Sequence, residues 1–170
     1  MSTKREIFIS HDSIPKEHRP SSGIRGLAVL VVDDNVGDAH LLEFWLQRLG
    51  CTVHCAKDGS EAISLNSQKV FDFILMDLDM PCVDGYEATR VIRGSEAELS
   101  GPRKAIIAIS GSEDSQVISQ CESNGMDGYF TKPVCPRELA FVLAEINDKS
   151  NLPNAKVASK SSSRLVRNKP

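Results

Sequence analysis

The fold of this chain is decided by the stretch Phe71-Asp72-Phe73-Ile74-Leu75-Met76-Asp77-Leu78-Asp79-Met80-Pro81, in which an apolar run ends abruptly at carboxylates and a proline. Four consecutive apolar residues, Phe73 to Met76, are typical of a strand covered on both faces in a parallel sheet. Pro81 and the pair Asp84-Gly85 mark a loop just beyond it. Open parallel sheets bind ligands outside the carboxyl ends of their strands, so the pattern predicts a functional carboxylate at Asp77.

Composition and charge predict one globular domain with two tails. The chain has 170 residues, of which 41% are hydrophobic, which is enough to bury a core. Residues 27–148 hold 9 Lys and Arg against 20 Asp and Glu, a net charge of −11, whereas 1–26 carry +2 and 149–170 carry +6. We expect a flexible arm over 1–26, a domain over 27–148 and a disordered basic tail over 149–170. An acidic domain disfavours nucleic acid as the main partner and favours a metal cation or a basic protein surface.

The cysteines predict a reduced, cytoplasmic protein. They are five in number, include no C-x-x-C pair, and follow an N-terminus without a signal-peptide core. No apolar run is long enough to span a bilayer. Cys51, His54 and Cys55 could form a zinc site on spacing alone, but no second ligand pair follows, so packing is the favoured interpretation.

Strands and helices are predicted to alternate along the domain, which favours a parallel sheet with right-handed crossovers. Strands are predicted over 27–32, 52–56, 105–109 and 128–131, in addition to the run that ends at Asp77. Helices are predicted from Gly37-Asp38 to Gly50, from an N-cap at Ser60, and over 84–93, 115–123 and 137–148. The first helix presents apolar residues with the helical period, namely Leu41, Leu42, Trp45, Leu46 and Leu49.

The five strand ends then line up on one edge, where polar side chains collect: Asp33, Asp34, Asp77, Ser110 and Lys132. Three carboxylates in one place repel each other by roughly 1 to 4 kcal/mol per pair. A divalent cation and the Lys132 ammonium would relieve that repulsion, and oxygen ligands favour Mg²⁺. Such a site suits phosphoryl transfer, with Asp77 as the nucleophile that forms an acyl phosphate.

At these residues the chain resembles the receiver domain of two-component response regulators. Four motifs carry the resemblance, which spans 27–148: Val32-Asp33-Asp34-Asn35, Met76-Asp77-Leu78-Asp79-Met80-Pro81, Ile109-Ser110-Gly111 and Tyr129-Phe130-Thr131-Lys132-Pro133. The resemblance implies an α/β flavodoxin-like fold, a five-stranded parallel sheet in the order 2-1-3-4-5 flanked by five helices.

The resemblance also implies a metal site and a phosphoacceptor. Asp77 would accept the phosphoryl group from a phosphohistidine. Asp34, Asp77 and the backbone carbonyl of Asp79 would ligate Mg²⁺ directly, and Asp33 would assist through water.

Other matched residues would bind the phosphoryl group or transmit the signal. Lys132 would pair with phosphoryl oxygens, Ser110 would donate a hydrogen bond to one of them, and Gly111 would leave room beside it. Tyr129 would be an aromatic switch, and the bond before Pro133 would be cis.

The resemblance implies a histidine kinase or a histidine phosphotransfer protein as the phosphoryl donor. No DNA-binding segment follows residue 148, so we expect output through contact with a downstream protein and no enzymatic turnover beyond self-phosphorylation and slow dephosphorylation.

Three alternatives stay open at this point. A haloacid-dehalogenase-like phosphatase would use Asp77 and Asp79 as a D-x-D pair, although the early acids Asp33 and Asp34 argue against that order. A degenerate receiver would serve only as a binding module. Asp33 and Asp34 could also merely cap a helix, and Lys132 could merely pair with an acid.

Overall fold

The computed structural model describes residues 24–100, 103–112 and 114–150, with side chains to 147. Most of the two predicted tails, 1–23 and 151–170, lies outside these residues. Ile24 falls in the predicted arm, yet it is 1% exposed and belongs to the core. Gly26 N donates to Gly50 O at 2.8 Å, which ties this segment to the end of the first helix. The packed domain therefore includes residues before the predicted start at Leu27.

Within the described residues, five strands alternate with five helices. The order is β1 (Ala28–Val32), α1 (Val36–Arg48), β2 (Thr52–Ala56), α2 (Gly59–Gln68), β3 (Phe73–Asp77), α3 (Gly85–Glu98), β4 (Ala105–Ser110), α4 (Ser115–Ser123), β5 (Gly128–Thr131) and α5 (Pro136–Ser150). Among the described residues, no helix is both long enough and apolar enough to cross a membrane.

All the strands pair in parallel, in the order β2-β1-β3-β4-β5. The predicted fold is therefore confirmed. β3 lies at the centre, and each of its five residues is buried, which explains its uninterrupted apolar sequence.

The core forms two layers, one on each face of the sheet, because successive strand side chains point to opposite faces. On β1, Val29 and Val31 contact the layer that α1 and α5 cover. Leu30 and Val32 contact the layer that α2, α3 and α4 cover. Packing on both faces of the sheet keeps the strand ends in fixed positions.

The first helix buries a narrower stripe than its sequence suggested. Ala39, Leu42 and Leu46 are its buried residues, whereas Leu41 is 53% exposed and Trp45 is only half-buried. Leu41 is one residue before Leu42, which turns it about 100° around the helix and away from the sheet.

The ends of α1 and α5 differ from the prediction by one or two residues, and two further helix boundaries differ for a reason visible in the contacts. α2 is capped by Asp58, whose carboxylate accepts from Glu61 N at 2.8 Å, so Ser60 is not the N-cap. α3 continues five residues past the predicted end at Arg93, to Glu98. Arg93 is held in a buried polar network and does not end the helix.

Candidate functional site

The candidate site lies where four strands end, because parallel strands bring their carboxyl ends to one edge of the sheet. Asp33 follows β1, Asp77 ends β3, Ser110 ends β4 and Lys132 follows β5. Asp33, Asp77 and Ser110 are 2%, 3% and 2% exposed. Buried charges of this kind require partners, and the site supplies them from distant parts of the chain.

Lys132 is the cation at the centre of the site. Its Nζ donates to Asp33 Oδ2 at 2.9 Å, to Asp77 Oδ2 at 3.1 Å and to Asp38 Oδ2 at 3.3 Å. Burial alone would lower the pKa of Lys132, but the hydrogen bonds from its ammonium to Asp33 and Asp77 outweigh that effect and raise it. The ammonium therefore stays charged across the physiological pH range.

The carboxylate of Asp77 is held in a partly apolar environment. Burial raises its pKa, and the charge of Asp33 raises it too, although the hydrogen bond from Lys132 opposes this. Both partners of the Lys132–Asp77 pair are thus shifted upward, because burial of Asp77 outweighs the stabilisation that the ammonium provides. Asp79 N lies 3.4 Å from Asp77 Oδ1, which completes the hydrogen bonding of this carboxylate.

Asp33, Asp34 and Asp77 form the metal-compatible cluster of the described residues. Each offers a carboxylate oxygen, and these three oxygens lie within 4.8 Å of one another. Asp34 is exposed and the other two are buried, so the cluster opens to solvent on the side of Asp34. Oxygen-only ligands with open positions fit Mg²⁺, which keeps several waters when bound.

The end of β4 lies at the same edge of the sheet. Ser110 Oγ accepts from Ser112 N at 3.2 Å, and Ser110 O accepts from Lys132 N at 2.7 Å. A side chain at Gly111 would meet nothing within 4 Å, so there is open space beside the site. The Lys132–Pro133 peptide bond is cis.

Tyr129 lies on β5 opposite Ala108 of β4, two strands away from Asp77 on β3. It is half-buried and packs against the core layer that α2, α3 and α4 cover. Tyr86, at the start of α3, is also in this group, and burial is the main cause that raises its pKa to about 12. Tyr129 thus lies on the edge strand β5, beside the strand that ends at Ser110.

Asp38 and Gly85 lie at the site and Gly59 lies against the loop after β3, although no sequence motif predicts these close contacts. Asp38 lies in the first turn of α1, and only the tertiary fold brings it to Lys132. A Cβ at Gly85 would collide with the carbonyl oxygen of Asp77, and one at Gly59 would lie 2.5 Å from Val83 O. The Asp84-Gly85 pair was visible as a loop signal, but its close approach to Asp77 was not.

The zinc alternative has no support in the described residues, where only the aspartate cluster groups three metal-ligating side chains. Cys51 and Cys55 pack with the layer of α1 and α5. His54 contacts Phe71, which lies in the opposite layer, at a ring distance of 5.6 Å. Successive strand residues point to opposite faces of the sheet, so the side chain of His54 lies on the face opposite Cys51 and Cys55.

The family model of the response regulator receiver domain matches residues 29–144. The chain belongs to this family. That assignment supersedes the phosphatase alternative and explains why the acids, the hydroxyl and the lysine occur in this order.

Three similar proteins illustrate the relationship. The sensor protein GacS of Pseudomonas syringae pv. syringae is 36% identical over 124 residues, which cover 73% of this chain and 14% of GacS. The receiver domain of the Arabidopsis thaliana histidine kinase CKI1, solved in complex with Mg²⁺, is 36% identical with a TM-score of 0.65 and covers 75% of this chain and 97% of that one. The receiver domain of Saccharomyces cerevisiae Ssk1, solved with the histidine phosphotransfer protein Ypd1, is 26% identical with a TM-score of 0.72 and covers 78% of this chain and 96% of that one.

This receiver domain therefore resembles both receivers inside sensor kinases and receivers of downstream regulators. The chain spans only a small part of the length of the curated kinases that it matches, 14% in the case of GacS.

Proposed function

We propose that this receiver domain accepts a phosphoryl group on Asp77 and signals through protein contacts. The observation that carries the proposal is the pairing of Asp77 Oδ2 with Lys132 Nζ at 3.1 Å, beside two further aspartates. A nucleophilic carboxylate, a fixed cation and a metal-compatible cluster are the groups that phosphoryl transfer requires.

The proposed chemistry is an in-line displacement on a phosphohistidine. A carboxylate oxygen of Asp77 attacks the phosphorus and forms a P–O bond, while the P–N bond breaks and its electron pair goes to the imidazole nitrogen. The ring leaves as neutral imidazole, because it takes up one proton from solvent water as the P–N bond breaks. Lys132 and Ser110 would bind the phosphoryl oxygens, and Gly111 would leave room for them.

Magnesium is the proposed cofactor. Asp34, Asp77 and the backbone carbonyl of Asp79 would hold it, with Asp33 nearby, and the ion would supply positive charge to neutralise the phosphoryl oxygens. The cluster of carboxylate oxygens and the Mg²⁺ in the related CKI1 receiver support this assignment.

The proposed donor is a histidine kinase or a histidine phosphotransfer protein. The Ypd1–Ssk1 complex supports this choice, because a receiver of similar fold is bound there to a phosphotransfer protein. The strongly acidic domain supports output through a protein partner and not through direct DNA binding. All five cysteines are free, which fits the reducing cytoplasm as the proposed location.

The decisive experiment incubates the protein with acetyl phosphate and Mg²⁺ and measures its intact mass. We expect one phosphoryl group on the parent protein, none on Asp77→Asn, and none on the parent when EDTA removes the metal. Asp72→Asn is the matched control: it makes the same substitution just before β3, at the opposite end of the strand, where Asp72 accepts from Ala28 N at 2.8 Å.

Full labelling of Asp77→Asn would overturn the choice of acceptor. An unlabelled parent protein that still binds a partner would indicate a degenerate receiver. Steady turnover of a generic phosphomonoester would favour an enzymatic role instead.

A further inference from the structure

All three N–H donors of the Lys132 ammonium are already used. An ammonium has three donors and no acceptor. Here three carboxylates accept from it, those of Asp33, Asp77 and Asp38, at 2.9, 3.1 and 3.3 Å. A phosphoryl oxygen can therefore bind Lys132 only if one of these three contacts is given up.

The three carboxylates differ in how much their release would destabilise the site. The side chains of Asp33 and Asp77 are 1% and 5% exposed, whereas that of Asp38 is 47% exposed. Asp33 would be left buried and unpaired if it lost its cation, which is strongly unfavourable. Asp77 carries the arriving phosphoryl group, so one phosphoryl oxygen replaces its contact with Lys132, and a second phosphoryl oxygen needs the donor that Asp33 or Asp38 holds. Asp38 can turn to water, and exposed ion pairs of this kind contribute little. Its contact is also the longest of the three.

We propose that Asp38 is a placeholder for the phosphoryl group. It holds the third donor of Lys132 in the unphosphorylated protein and is displaced to solvent when a phosphoryl oxygen arrives. The inference rests on the proposed function, and it makes Asp38 a positioning residue that competes with the phosphoryl group for the same cation.

The surroundings of Asp38 allow this exchange without movement of the backbone. Asp38 N lies 3.3 Å from the Asn35 side chain that caps α1, so the first turn of the helix stays in place while the carboxylate rotates. The charge balance favours displacement as well. Asp33, Asp34, Asp38 and Asp77 face a single lysine here, so a further anion is admitted more easily when one carboxylate leaves.

The test measures the affinity for beryllofluoride, a tetrahedral mimic of the phosphoryl group, by calorimetry in the presence of Mg²⁺. Asp38→Asn keeps the shape of the side chain but removes the competing charge. We expect it to bind beryllofluoride about three- to tenfold more tightly than the parent, the range for one partly screened charge. The gain should shrink at high salt, because Asp38 is half-exposed.

Three further variants separate competition from structural effects. Asp38→Ala should tighten binding in the same direction, and Asp38→Glu should return the affinity toward that of the parent, because it restores the charge. Glu43→Gln removes a charge from the same helix at a residue that bonds Gln47 and not Lys132, and it should leave the affinity unchanged.

Equal or weaker binding by Asp38→Asn, with normal binding by the parent, would overturn the placeholder role and leave the proposed function standing. The placeholder role is also overturned if Glu43→Gln tightens binding as much as Asp38→Asn does, since net charge alone would then be responsible. A parent protein that neither binds beryllofluoride nor takes a label at Asp77 would overturn the proposed function, and this inference with it.

Discussion

Lys132 Nζ lies 3.1 Å from Asp77 Oδ2, although 55 residues separate the two in sequence. The strand pairing brings them together: Asp77 is opposite Ile109 on β4, and Ser110, the next residue, accepts from Lys132 N at 2.7 Å. The cation is therefore attached to the sheet at its backbone as well as at its side chain. The backbone hydrogen bond and the side-chain contacts together direct the Lys132 ammonium toward Asp77.

Lys132→Ala tests this relationship. Without the ammonium, the buried carboxylates of Asp33 and Asp77 lose their shared cation, so the free energy of unfolding should fall by about 1 to 3 kcal/mol in metal-free buffer. Mg²⁺ should then stabilise the variant more than the parent, because it becomes the remaining counter-charge. Urea titrations with EDTA and with Mg²⁺ measure both effects, and equal responses of the two proteins to Mg²⁺ would contradict the shared role.

Asp34→Ala should have the opposite effects on the stability of the metal-free protein and on its response to Mg²⁺. The exposed Asp34 carboxylate adds negative charge within 4.8 Å of Asp33 and Asp77. Its removal should stabilise the metal-free protein by about 1 kcal/mol. It should also abolish the rise in melting temperature with Mg²⁺, since a ligand stabilises only the state that binds it. Melting curves that shift equally in variant and parent would exclude Asp34 from the metal site.

Ser110→Ala addresses signalling and not acceptance. The variant keeps Asp77 and the carboxylate cluster, so it should still take a phosphoryl group from acetyl phosphate. We expect its affinity for a downstream partner to become independent of phosphorylation, because the hydroxyl is the group placed to draw β4 toward the phosphoryl group and let Tyr129 rotate. Titration of the partner against both forms measures this, and unchanged phosphorylation dependence would place the signal elsewhere.

Arg93→Ala should reduce stability at the far end of the sheet. Arg93 Nη2 contacts Asp127 Oδ2 at 2.6 Å, and its Nε and Nη1 donate to the carbonyls of Gly125 and Lys104 at 2.9 Å each. Asp127 is 3% exposed, and Arg103 Nη2 still donates to its Oδ1 at 2.7 Å, so loss of Arg93 should lower the free energy of unfolding by about 1 to 3 kcal/mol, which a urea titration measures.

Arg90→Ala is the control for Arg93→Ala. Arg90 is an exposed arginine on the same helix that donates to Asn124 Oδ1 at 2.7 Å. Replacement of Arg90 by alanine should lower the free energy of unfolding by no more than about 0.5 kcal/mol. Similar losses in the two variants would mean that the buried network contributes nothing of its own.

Gly59→Ala and Gly94→Ala form a second matched pair. A Cβ at Gly59 would lie 2.5 Å from Val83 O, so the loop between β3 and α3 must shift, at a cost of about 1 to 3 kcal/mol. A Cβ at Gly94 meets nothing within 4 Å, and alanine in this exposed helical position should stabilise by about 1 kcal/mol. Denaturant midpoints that move in the same direction would show that the α2–loop contact is less close than the structure has it.

Much of the fold was predictable because its signals are local. The apolar run ending at Asp77, the period of α5 and the alternation of strands and helices depend on residues close in sequence. Leu139, Val142, Leu143 and Ile146, the expected inner face of α5, are all buried. The boundary of α3 was missed because the polar stretch from Gly94 to Pro102 contains the Gly and Pro residues that are typical of a loop, whereas the helix continues through Gly94 to Glu98.

The succession of strands and helices shows which groups could do chemistry at the strand ends, because parallel strands separated by helices must bring Asp33, Asp77, Ser110 and Lys132 to one edge. How those groups share their charges depends on the tertiary structure. Asp38 is 94 residues from Lys132 and has no motif of its own, so its contact appears only when α1 packs on the sheet. Gly59 and Gly85 likewise acquire their importance from close approach, which depends on how the layers meet and not on local pattern.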